Sequence, residues 1–504
     1  MAAASAQPRD KSGDLWQLPA AVEPVLGQLT PARSCASLLN TRPSADAIVR
    51  DARLMQGGRT GEVCSVTIEV SVPLARTPIS VWLMLPTQNW NGRFLGMGGF
   101  VWLPGFTPAL ERGAALGFAT AITNAGRDYD LSMDPEEQVH LIGRNDFLLD
   151  AKGRLDWTAL QNFAYRGIHE MTVVGKAVTK QFYGKGSRYS YFSGCSTGGR
   201  QGQSEVQRYP QDYDGVLSGA PAINWAHFAA AEFWQAALTS ELGGVPQCKL
   251  NAAHKAAVAA CDADDGARDG LVSGAGICRF DSKELVGVQT ECGDIDPREA
   301  DVIGRIWEGP RRRDGSRLWS GIDRAALIVP PQSPANWAKP FFDGKVPDAE
   351  GLSFAHFEAL FEQLIERYGA VMDTASPDVG AFAKHGKTII WHGIADDIIP
   401  VAGTLHYVKS IRRTLGEREA DKFLRFYLAP GVGHCRFGDG PQPVALLGPL
   451  MEWVEQGRAP AAVSSENSDD AGRVTRTRPL CPYPQRARYR GRGSLDEAAS
   501  FECQ

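Results

Sequence analysis

The chain has 504 residues, and its 53 Lys and Arg residues against 58 Asp and Glu residues give a formal net charge of −5. A charge so close to balance gives no electrostatic reason to expect a nucleic-acid partner. No run of apolar residues reaches the length that a membrane span requires, so we expect no membrane association through a helix. The length allows several domains, or one large core with an inserted domain.

Ten cysteines are spread along the chain, and none of them belongs to a CxxC pair of the kind that binds zinc. An even number of dispersed cysteines indicates disulfides, which persist in oxidising compartments. The alternative is ten reduced thiols in a cytosolic protein. We expect an exported protein, secreted or periplasmic, whose signal peptide is not part of this sequence, because residues 1–10 lack an apolar signal core.

The predicted elements alternate between strands and helices after an irregular beginning. Short apolar runs predict strands, and apolar residues at helical spacing predict helices. The predicted strands lie at residues 66–72, 79–86, 93–97, 117–123, 189–193 and 214–219, and the predicted helices at residues 157–182 and 200–208. This alternation predicts the α/β class, with a mostly parallel sheet covered by helices on both faces.

The strand pattern stops after the sixth run and resumes near the end of the chain. Strands are predicted again at residues 387–393 and 423–429, followed by a helix at 443–455. We therefore predict one core interrupted by an inserted lid domain that lies over the active site. The predicted domains are a first core segment, the lid and a second core segment, at residues 1–222, 223–379 and 380–504.

A candidate nucleophile lies between a predicted strand and a predicted helix. The segment Gly194-Cys195-Ser196-Thr197-Gly198 has the G-x-S-x-G pattern of a sharp turn that exposes a reactive serine. The pattern alone is common, and the alternative is an ordinary turn serine. The preceding strand and the following helix are the context in which it predicts a nucleophile.

The later strands supply a candidate base and a candidate acid. In this arrangement the acid follows the serine in sequence and the histidine comes last. Asp396 and Asp397 both follow the strand at 387–393, and His434 lies in a Gly-rich loop after the strand at 423–429. His392 shares the loop with Asp396 and is a candidate to support it, and we expect the other histidines to be structural.

Acyl transfer also requires two donors for the developing oxyanion. The backbone N–H of Thr197 is one candidate by position. The loop after the strand at 93–97 contains Gly98 and Gly99, either of which is a candidate for the second donor, and Gly99 is our prediction. The cysteines next to Ser196 and His434 are Cys195 and Cys435. A disulfide between them would close a loop of about 240 residues, worth roughly 5 kcal/mol in the chain-entropy model.

These motifs resemble the tannase and feruloyl esterase family, which includes mono-(2-hydroxyethyl) terephthalate hydrolase. The segments that carry the resemblance lie at residues 90–96, 165–169, 194–201, 214–221, 392–396 and 433–435. The resemblance implies an α/β-hydrolase fold with a triad of Ser196, Asp396 and His434, a Cys195–Cys435 bridge, and a lid that forms the substrate pocket. One segment departs from the family pattern T-D-x-G-H, because residues 123–127 read Thr-Asn-Ala-Gly-Arg.

An acidic loop follows Cys261. It places four aspartates within eight residues among glycines, which suits calcium, although a solvated acidic turn is the alternative. The spacing is not that of an EF-hand. The resemblance implies a structural Ca²⁺ in the lid, and a Cys261–Cys278 pair would then staple the loop. The implied ligands are the side chains of Asp262, Asp265 and Asp269 and the carbonyl groups of Ala267 and Leu271.

The remaining cysteines are assigned by their positions. Cys35–Cys64 and Cys481–Cys503 are predicted pairs, and Cys248–Cys292 is left by elimination.

The predicted function is hydrolysis of a carboxylic ester through an acyl-enzyme, without an organic cofactor. The resemblance implies small aromatic esters as substrates, feruloyl, other hydroxycinnamoyl or galloyl esters first and the terephthalate half-ester as the alternative. Two further alternatives are acyl transfer to an acceptor other than water and a hydrolase fold that binds without turnover. Candidates to stack on an aromatic substrate, or else to form the lid core, are Trp307, Trp319, Trp337, Phe341 and Phe342.

Overall fold

A nine-stranded sheet organises the chain. The computed structural model describes residues 18–27, 29–57, 60–329, 339–343 and 351–504. The strands of the sheet are β1 (Ala47–Gly57), β2 (Gly61–Val70), β3 (Ile79–Pro86), β4 (Arg93–Met97), β5 (Ala119–Thr123), β6 (Tyr189–Cys195), β7 (Gly215–Gly219), β8 (Lys387–Gly393) and β9 (Leu424–Ala429). Their order across the sheet is β1-β2-β3-β5-β4-β6-β7-β8-β9.

The sheet is antiparallel on one side and parallel on the other. The pairs β1–β2, β2–β3 and β3–β5 are antiparallel. From β5 through β4, β6, β7, β8 and β9 every pair is parallel. The predicted α/β class and mostly parallel sheet are therefore confirmed. Because parallel strands end at one edge, the loops after β4, β6, β8 and β9 lie along that edge.

The helices cover both faces of the sheet and fill the segment between β7 and β8. A π-helical turn, Asn162–Arg166, joins α3 to α4. The helices are α1 (Thr107–Ala115), α2 (Pro135–His140), α3 (Trp157–Gln161), α4 (Gly167–Tyr183), α5 (Thr197–Arg208), α6 (Trp225–Ala231), α7 (Phe233–Leu242), α8 (Gln247–Cys261), α9 (Pro297–Glu308), α10 (Phe354–Met372), α11 (Gly380–Ala383), α12 (Val401–Leu415), α13 (Glu417–Ala420) and α14 (Leu447–Gln456).

Neighbouring residues of the central strands point to opposite faces of the sheet, and both faces are apolar. In β4, Phe94 packs in the cluster that contains α4, whereas Leu95 packs in the cluster that contains α14. In β8, Ile390 packs in the cluster that contains α4, and Ile389 packs in the cluster that contains α14. Burial on both faces explains why these strands have continuous apolar runs rather than alternation.

A second apolar core lies in the segment between β7 and β8. Within its described residues this segment contributes helices and no strand to the sheet. Trp234, Phe357 and Ile303 from α7, α10 and α9 belong to one buried cluster, which also includes Trp102 from the loop after β4. The predicted insert at residues 223–379 lies inside this segment.

Local signals in the sequence fix the ends of several helices. At the start of α9 the Asp296 side chain accepts the N–H of Glu299 at 2.7 Å, and the Glu299 side chain accepts the N–H of Asp296 at 2.9 Å. This reciprocal pair is a capping box, and Pro297 occupies the first helical position, where a missing N–H costs nothing. Ser353 caps α10.

The C-terminal segment forms two small sheets on the surface of the core. The first contains β10 (Gln442–Pro443), β11 (Val463–Ser468) and β12 (Val474–Leu480), and the second contains β13 (Ala487–Tyr489) and β14 (Phe501–Cys503). None of the helices within the described ranges is long and apolar enough to cross a membrane.

All ten cysteines form disulfides. Every predicted pairing is confirmed, including the pair that was assigned by elimination. The pairs are Cys35–Cys64, Cys195–Cys435, Cys248–Cys292, Cys261–Cys278 and Cys481–Cys503.

A buried ion pair joins β4 to α14. The guanidinium of Arg93 donates to both carboxylate oxygens of Glu455, at 2.7 Å each, and the hydroxyl of Tyr191 donates to the same carboxylate at 2.6 Å. The side chains of Arg93 and Glu455 are 4% and 10% exposed. A carboxylate with three such donors fixes α14 against the sheet.

We predict that Glu455→Gln destabilises the fold by about 3–5 kcal/mol, because it leaves a buried guanidinium without its counter-charge. Urea unfolding measures the loss. The matched control is Glu452→Gln on the same helix, whose pair with Arg458 has side chains 57% and 63% exposed. That change should alter the free energy of unfolding by less than about 0.5 kcal/mol. Equal effects of the two substitutions would contradict the prediction.

Candidate active site

A strained turn connects β6 to α5 and presents Ser196. The backbone of Ser196 has φ 62° and ψ −122°, in the left-handed half of the map that L-residues rarely occupy. The turn closes because its glycines touch. A Cβ on Gly194 would lie 2.6 Å from the carbonyl carbon of Gly198, and a Cβ on Gly98 would lie 2.5 Å from the Gly198 Cα. The G-x-S-x-G spacing is thus a packing requirement.

The three residues predicted as a triad form a continuous chain of hydrogen bonds. His434 Nε2 lies 2.9 Å from Ser196 Oγ, and His434 Nδ1 lies 2.9 Å from Asp396 Oδ2. Since a carboxylate only accepts, Nδ1 carries the proton and Nε2 is free to accept the serine proton. The side chains come from the ends of β6, β8 and β9, at the shared edge of the parallel sheet.

Asp396 is held by more donors than the triad alone supplies. Its Oδ1 accepts the backbone N–H groups of Ile398 at 3.0 Å and Ile399 at 2.8 Å, while its Oδ2 accepts from His392 Nε2 at 3.0 Å. His392 Nε2 also faces the Ile399 carbonyl, so this nitrogen carries a proton, and Nδ1 lies 2.9 Å from Thr404 Oγ1. His392 therefore positions Asp396.

The electrostatics of the pair follow from burial and from mutual attraction. Burial by itself raises the pKa of Asp396, but the charge of His434 and hydrogen bonds from both histidines outweigh it and hold this pKa well below its usual range. Burial likewise lowers the pKa of His434, yet the carboxylate of Asp396, its hydrogen bond and the charge of Asp397 raise it above the ordinary value. Asp396 thus stays ionised and stabilises a protonated His434.

In the structure, the adjacent aspartates Asp396 and Asp397 have different surroundings. The carboxylate of Asp396 is fully buried and bonds His434 directly. Asp397 is partly exposed and lines a cavity together with residues of α6 and α7. Its charge acts on His434 without a side-chain hydrogen bond to the imidazole. The geometry therefore favours Asp396 over Asp397 as the orienting residue.

The predicted oxyanion donors lie on both sides of the elbow. Thr197 is the first residue of α5, so its N–H has no acceptor within the helix, and its hydroxyl donates to the Val101 carbonyl at 2.6 Å. Gly98 donates its N–H to the Ser193 carbonyl at 2.9 Å, which continues the pairing of β4 with β6. The N–H of Gly99 donates to Gln201 Oε1 at 3.1 Å. The prediction for Gly99 therefore requires that this N–H be shared between Gln201 and the substrate.

The Cys195–Cys435 disulfide ties the nucleophile to the base. Each cysteine is adjacent in sequence to one of the two residues, and their Cα atoms lie 6.0 Å apart. Cys195 is the last residue of β6, whereas Cys435 lies in the loop after β9, with φ 60°. The two loops come from strands that are not neighbours in the sheet, so no backbone ladder could fix their separation.

Two residues in the segment 123–127, which departs from the family pattern T-D-x-G-H, form hydrogen bonds that shape the neighbouring loops. Asn124 Oδ1 accepts the N–H groups of Ser80 and Gly126, both at 2.8 Å, so it closes the turn after β5 as an aspartate would. The guanidinium of Arg127 donates to the carbonyls of Trp102 and Leu141, at 2.8 and 2.7 Å. Arg127 thereby anchors the loop after β4, which contains Gly99.

The acidic loop has the donor set of a hard-cation site. Asp262 Oδ1 accepts three backbone N–H groups, which curl the loop around its carboxylate. Asp265 is buried, and repulsion from Asp262 and Asp269 adds to the burial that raises its pKa. The residues Ala267 and Leu271 are 1% and 3% exposed, and neither carbonyl accepts a hydrogen bond from a described residue. Two buried carbonyl oxygens without donors fit a cation.

One of these aspartates has a competing partner. The side chain of Asp269 forms a buried ion pair with Arg478 of β12. Within the described ranges, the ligand atoms of one other group, His169, Glu205 and Asp212, all lie within 4.8 Å of one another, a spacing the acidic loop does not match. His169 Nδ1 already donates to Asp212 Oδ2 at 2.6 Å, so a hydrogen bond accounts for two residues of that group.

The aromatic residues predicted for substrate stacking divide into two sets. Trp307 and Phe341 are 4% and 3% exposed and belong to the apolar core of the segment between β7 and β8, so packing explains them. Trp319 and Phe342 are partly buried against the same core and remain candidates. Trp337 lies outside the described residues.

The sequence did not single out two residues that hold the site together. Thr404 bonds His392 from α12, and Gln201 bonds the loop after β4 through Gly99. Gln201 lies three residues after Gly198, and its position within the segment 194–201 that carries the family resemblance was the available signal. No local signal marked Thr404, because its role depends on how α12 packs.

The structure contains a nucleophile elbow, a buried Ser–His–Asp line of hydrogen bonds, and a parallel sheet that places these three residues at the carboxyl ends of its strands. These features define a serine hydrolase of the α/β-hydrolase class. A sequence profile of the family Tannase and feruloyl esterase matches residues 64–342 and 341–504. The chain belongs to this family, and it is an esterase.

The relatives cover nearly the whole chain. A probable feruloyl esterase of Arthroderma benhamiae is 38% identical over 473 residues, which are 88% of this chain and 86% of the relative. The mono(2-hydroxyethyl) terephthalate hydrolase of Piscinibacter sakaiensis is 28% identical, over 84% of this chain and 80% of its own length. The crystal structure of feruloyl esterase B from Aspergillus oryzae superposes with a TM-score of 0.79 at 26% identity, over 92% of this chain and 97% of that one.

We predict that Asp396→Asn lowers kcat about 10⁴-fold, because an amide stabilises the wrong imidazole tautomer. Asp397→Asn should retain most of the activity. His434 must be neutral to accept a proton, so activity falls as pH drops through its raised pKa. Since Asp397 contributes to that rise, its removal should move the acid limb of kcat/KM to lower pH. Profiles with p-nitrophenyl acetate measure both effects, and a larger loss in Asp397→Asn would contradict the assignment.

Proposed function

We propose that this protein hydrolyses esters of aromatic carboxylic acids, feruloyl, other hydroxycinnamoyl or galloyl esters, through an acyl-enzyme on Ser196. The observation that carries the proposal is the line from Ser196 Oγ through His434 to Asp396, with hydrogen bonds of 2.9 Å at both ends. Relatives named feruloyl esterase and tannase support the aromatic acyl group.

The mechanism follows from the positions of the protons. His434 Nε2 removes the proton of Ser196, whose oxygen attacks the ester carbonyl. The oxyanion receives the N–H of Thr197 and, in our proposal, that of Gly99. The imidazolium, stabilised by Asp396, returns the proton to the leaving alcohol. Water, deprotonated by His434, then releases the acid and restores the serine.

The terephthalate half-ester is the second candidate substrate. It rests on the 28% identity to the Piscinibacter sakaiensis hydrolase, a weaker likeness than the 38% identity to the Arthroderma benhamiae protein. A binding protein without turnover is disfavoured, because such a protein would have no need for a strained serine within hydrogen-bonding distance of a buried imidazole. Acyl transfer to added alcohols uses the same groups, and product analysis would detect it.

We further propose that residues 223–379 form a lid over the site and that the acidic loop holds a structural Ca²⁺. The proposed ligands are the side chains of Asp262, Asp265 and Asp269 and the carbonyl groups of Ala267 and Leu271. The ion would neutralise the carboxylates of Asp262 and Asp265, since Arg478 already pairs with Asp269, and would stabilise the loop that the Cys261–Cys278 disulfide closes. Five disulfides also support an oxidising location, secreted or periplasmic.

The activity is tested on methyl ferulate, methyl gallate and mono-(2-hydroxyethyl) terephthalate, each with the wild type and Ser196→Ala. We expect hydrolysis of ferulate or gallate esters that falls at least about 10⁴-fold in the variant, since the residual rate depends on binding alone. Hydrolysis of the half-ester alone would replace the first candidate with the second. Turnover that survives in Ser196→Ala would overturn the mechanism.

We predict that chelation with EGTA lowers the melting temperature by several degrees and that added Ca²⁺ restores it, because the ion binds only the folded loop. Asp262→Asn should abolish this response and spare the three loop hydrogen bonds, which an amide oxygen can still accept. The matched control is Asp264→Asn, an exposed residue of the same loop that is not a proposed ligand. Calorimetry provides the readout, and a melting temperature insensitive to EGTA would contradict the calcium proposal.

A further inference from the structure

A cluster of metal-ligand side chains lies at the opposite end of α5 from the nucleophile elbow. It contains His169 of α4, Glu205 of α5, and Asp212 of the loop between α5 and β7, and we call it the His169 cluster. One imidazole nitrogen and two carboxylate oxygens of these residues all lie within 4.8 Å of one another. Since Glu205 lies in the third turn of α5, the cluster is about 13 Å from Ser196 along the helix axis.

Glu205 is the member of the His169 cluster that hydrogen bonding does not explain. It is 1% exposed, and neither of its carboxylate oxygens accepts a hydrogen bond from a described residue. Glu299, which is buried to a similar degree, forms an ion pair with Lys249 at 2.7 Å. A carboxylate buried without donors is costly, so the position of Glu205 points to a positively charged ligand or to a bound proton.

The charges around Glu205 do not balance. Burial and the neighbouring carboxylate of Asp212 raise the pKa of Glu205 well above its usual range. Lys176 is a neighbouring cation, but its ammonium donates to the backbone carbonyl of Asp212 and not to either carboxylate. Two carboxylates against one ammonium leave a negative charge. A divalent cation neutralises it, and the alternative is a proton that the two carboxylates share.

The imidazole of His169 is held in place on two sides. Its ring stacks on Tyr209, with centroids 3.8 Å apart and planes at 7°, and its Nδ1 donates to Asp212 Oδ2 at 2.6 Å. A cation that replaces the Nδ1 proton requires these two atoms to separate to about 3.3 Å, the spacing of ligands about 2.0 Å from a tetrahedral ion. The side chains of His169 and Asp212 are 29% and 15% exposed, so an ion reaches the cluster from solvent.

The ligand types indicate which cation the cluster binds. Ca²⁺ and Mg²⁺ prefer oxygen ligands alone, whereas Zn²⁺ accepts nitrogen and oxygen ligands together in a tetrahedral site. We propose that His169, Glu205 and Asp212 bind one Zn²⁺ ion, with water as the fourth ligand. The ion links α4, α5 and the loop that follows, and its distance from Ser196 makes its role structural. This site is separate from the acidic loop and does not depend on the proposed esterase substrate.

The test is a calorimetric titration of the full chain with Zn²⁺ after removal of bound metals. Excess Ca²⁺ is present, so that zinc does not enter the acidic loop. We expect one Zn²⁺ per chain and a melting temperature that rises by several degrees on binding. Glu205→Gln keeps the shape of the side chain and removes its charge, and it should weaken zinc binding at least about 100-fold. His169→Gln should have an effect of similar size.

The matched control is His406→Gln, which removes an exposed histidine of α12 outside the cluster and should bind zinc as the wild type does. Circular dichroism without metal shows whether each variant folds, and the partly exposed His169 position keeps the test valid if Glu205→Gln does not fold. Absence of zinc binding by the wild type would overturn the proposal in favour of a shared proton. Equal zinc affinity in the wild type and the folded cluster variants would overturn it as well.

Discussion

The Cys195–Cys435 disulfide is the constraint on which the geometry of this site depends. Ser196 has a positive φ, which residues other than glycine rarely adopt. His434 lies in a glycine-rich loop after β9, and β7 and β8 separate this strand from β6. The Ser196 N–H donates to the Gly219 carbonyl at the end of β7, and the Val432 carbonyl accepts from Ala395 after β8, but no backbone hydrogen bond between described residues joins the two loops directly. A covalent link beside each residue limits the distance between serine oxygen and imidazole, and a displacement of about 1 Å is enough to cost a large part of the rate.

The acid of the triad is fixed by a different device. Asp396 has no covalent link, but its two oxygens receive four donors from one short loop, from His392 and from His434. The same loop, through Asp397 and Ile398, lines a cavity whose other walls include residues of α6 and α7.

The sequence predicted the parts of the site that local chemistry determines. The elbow around Ser196 and the strands before Asp396 and His434 have local patterns, and the structure contains both. The sequence missed β1, because half of its residues face solvent and its antiparallel pairing with β2 adds no apolar run. It could not choose between Gly98 and Gly99, since their N–H groups are assigned by contacts with Ser193 and Gln201.

The most direct test of this account is to replace Cys195 and Cys435 by alanine together and to measure kcat and KM below the unfolding transition. The comparison is the double alanine variant of Cys481 and Cys503, which removes a disulfide far from the triad in sequence. We expect that the first variant loses at least about 10-fold in kcat with little change in KM, and that the second keeps its kcat. Equal kcat in the two folded variants would contradict the claim that this cross-link holds the nucleophile and base in place.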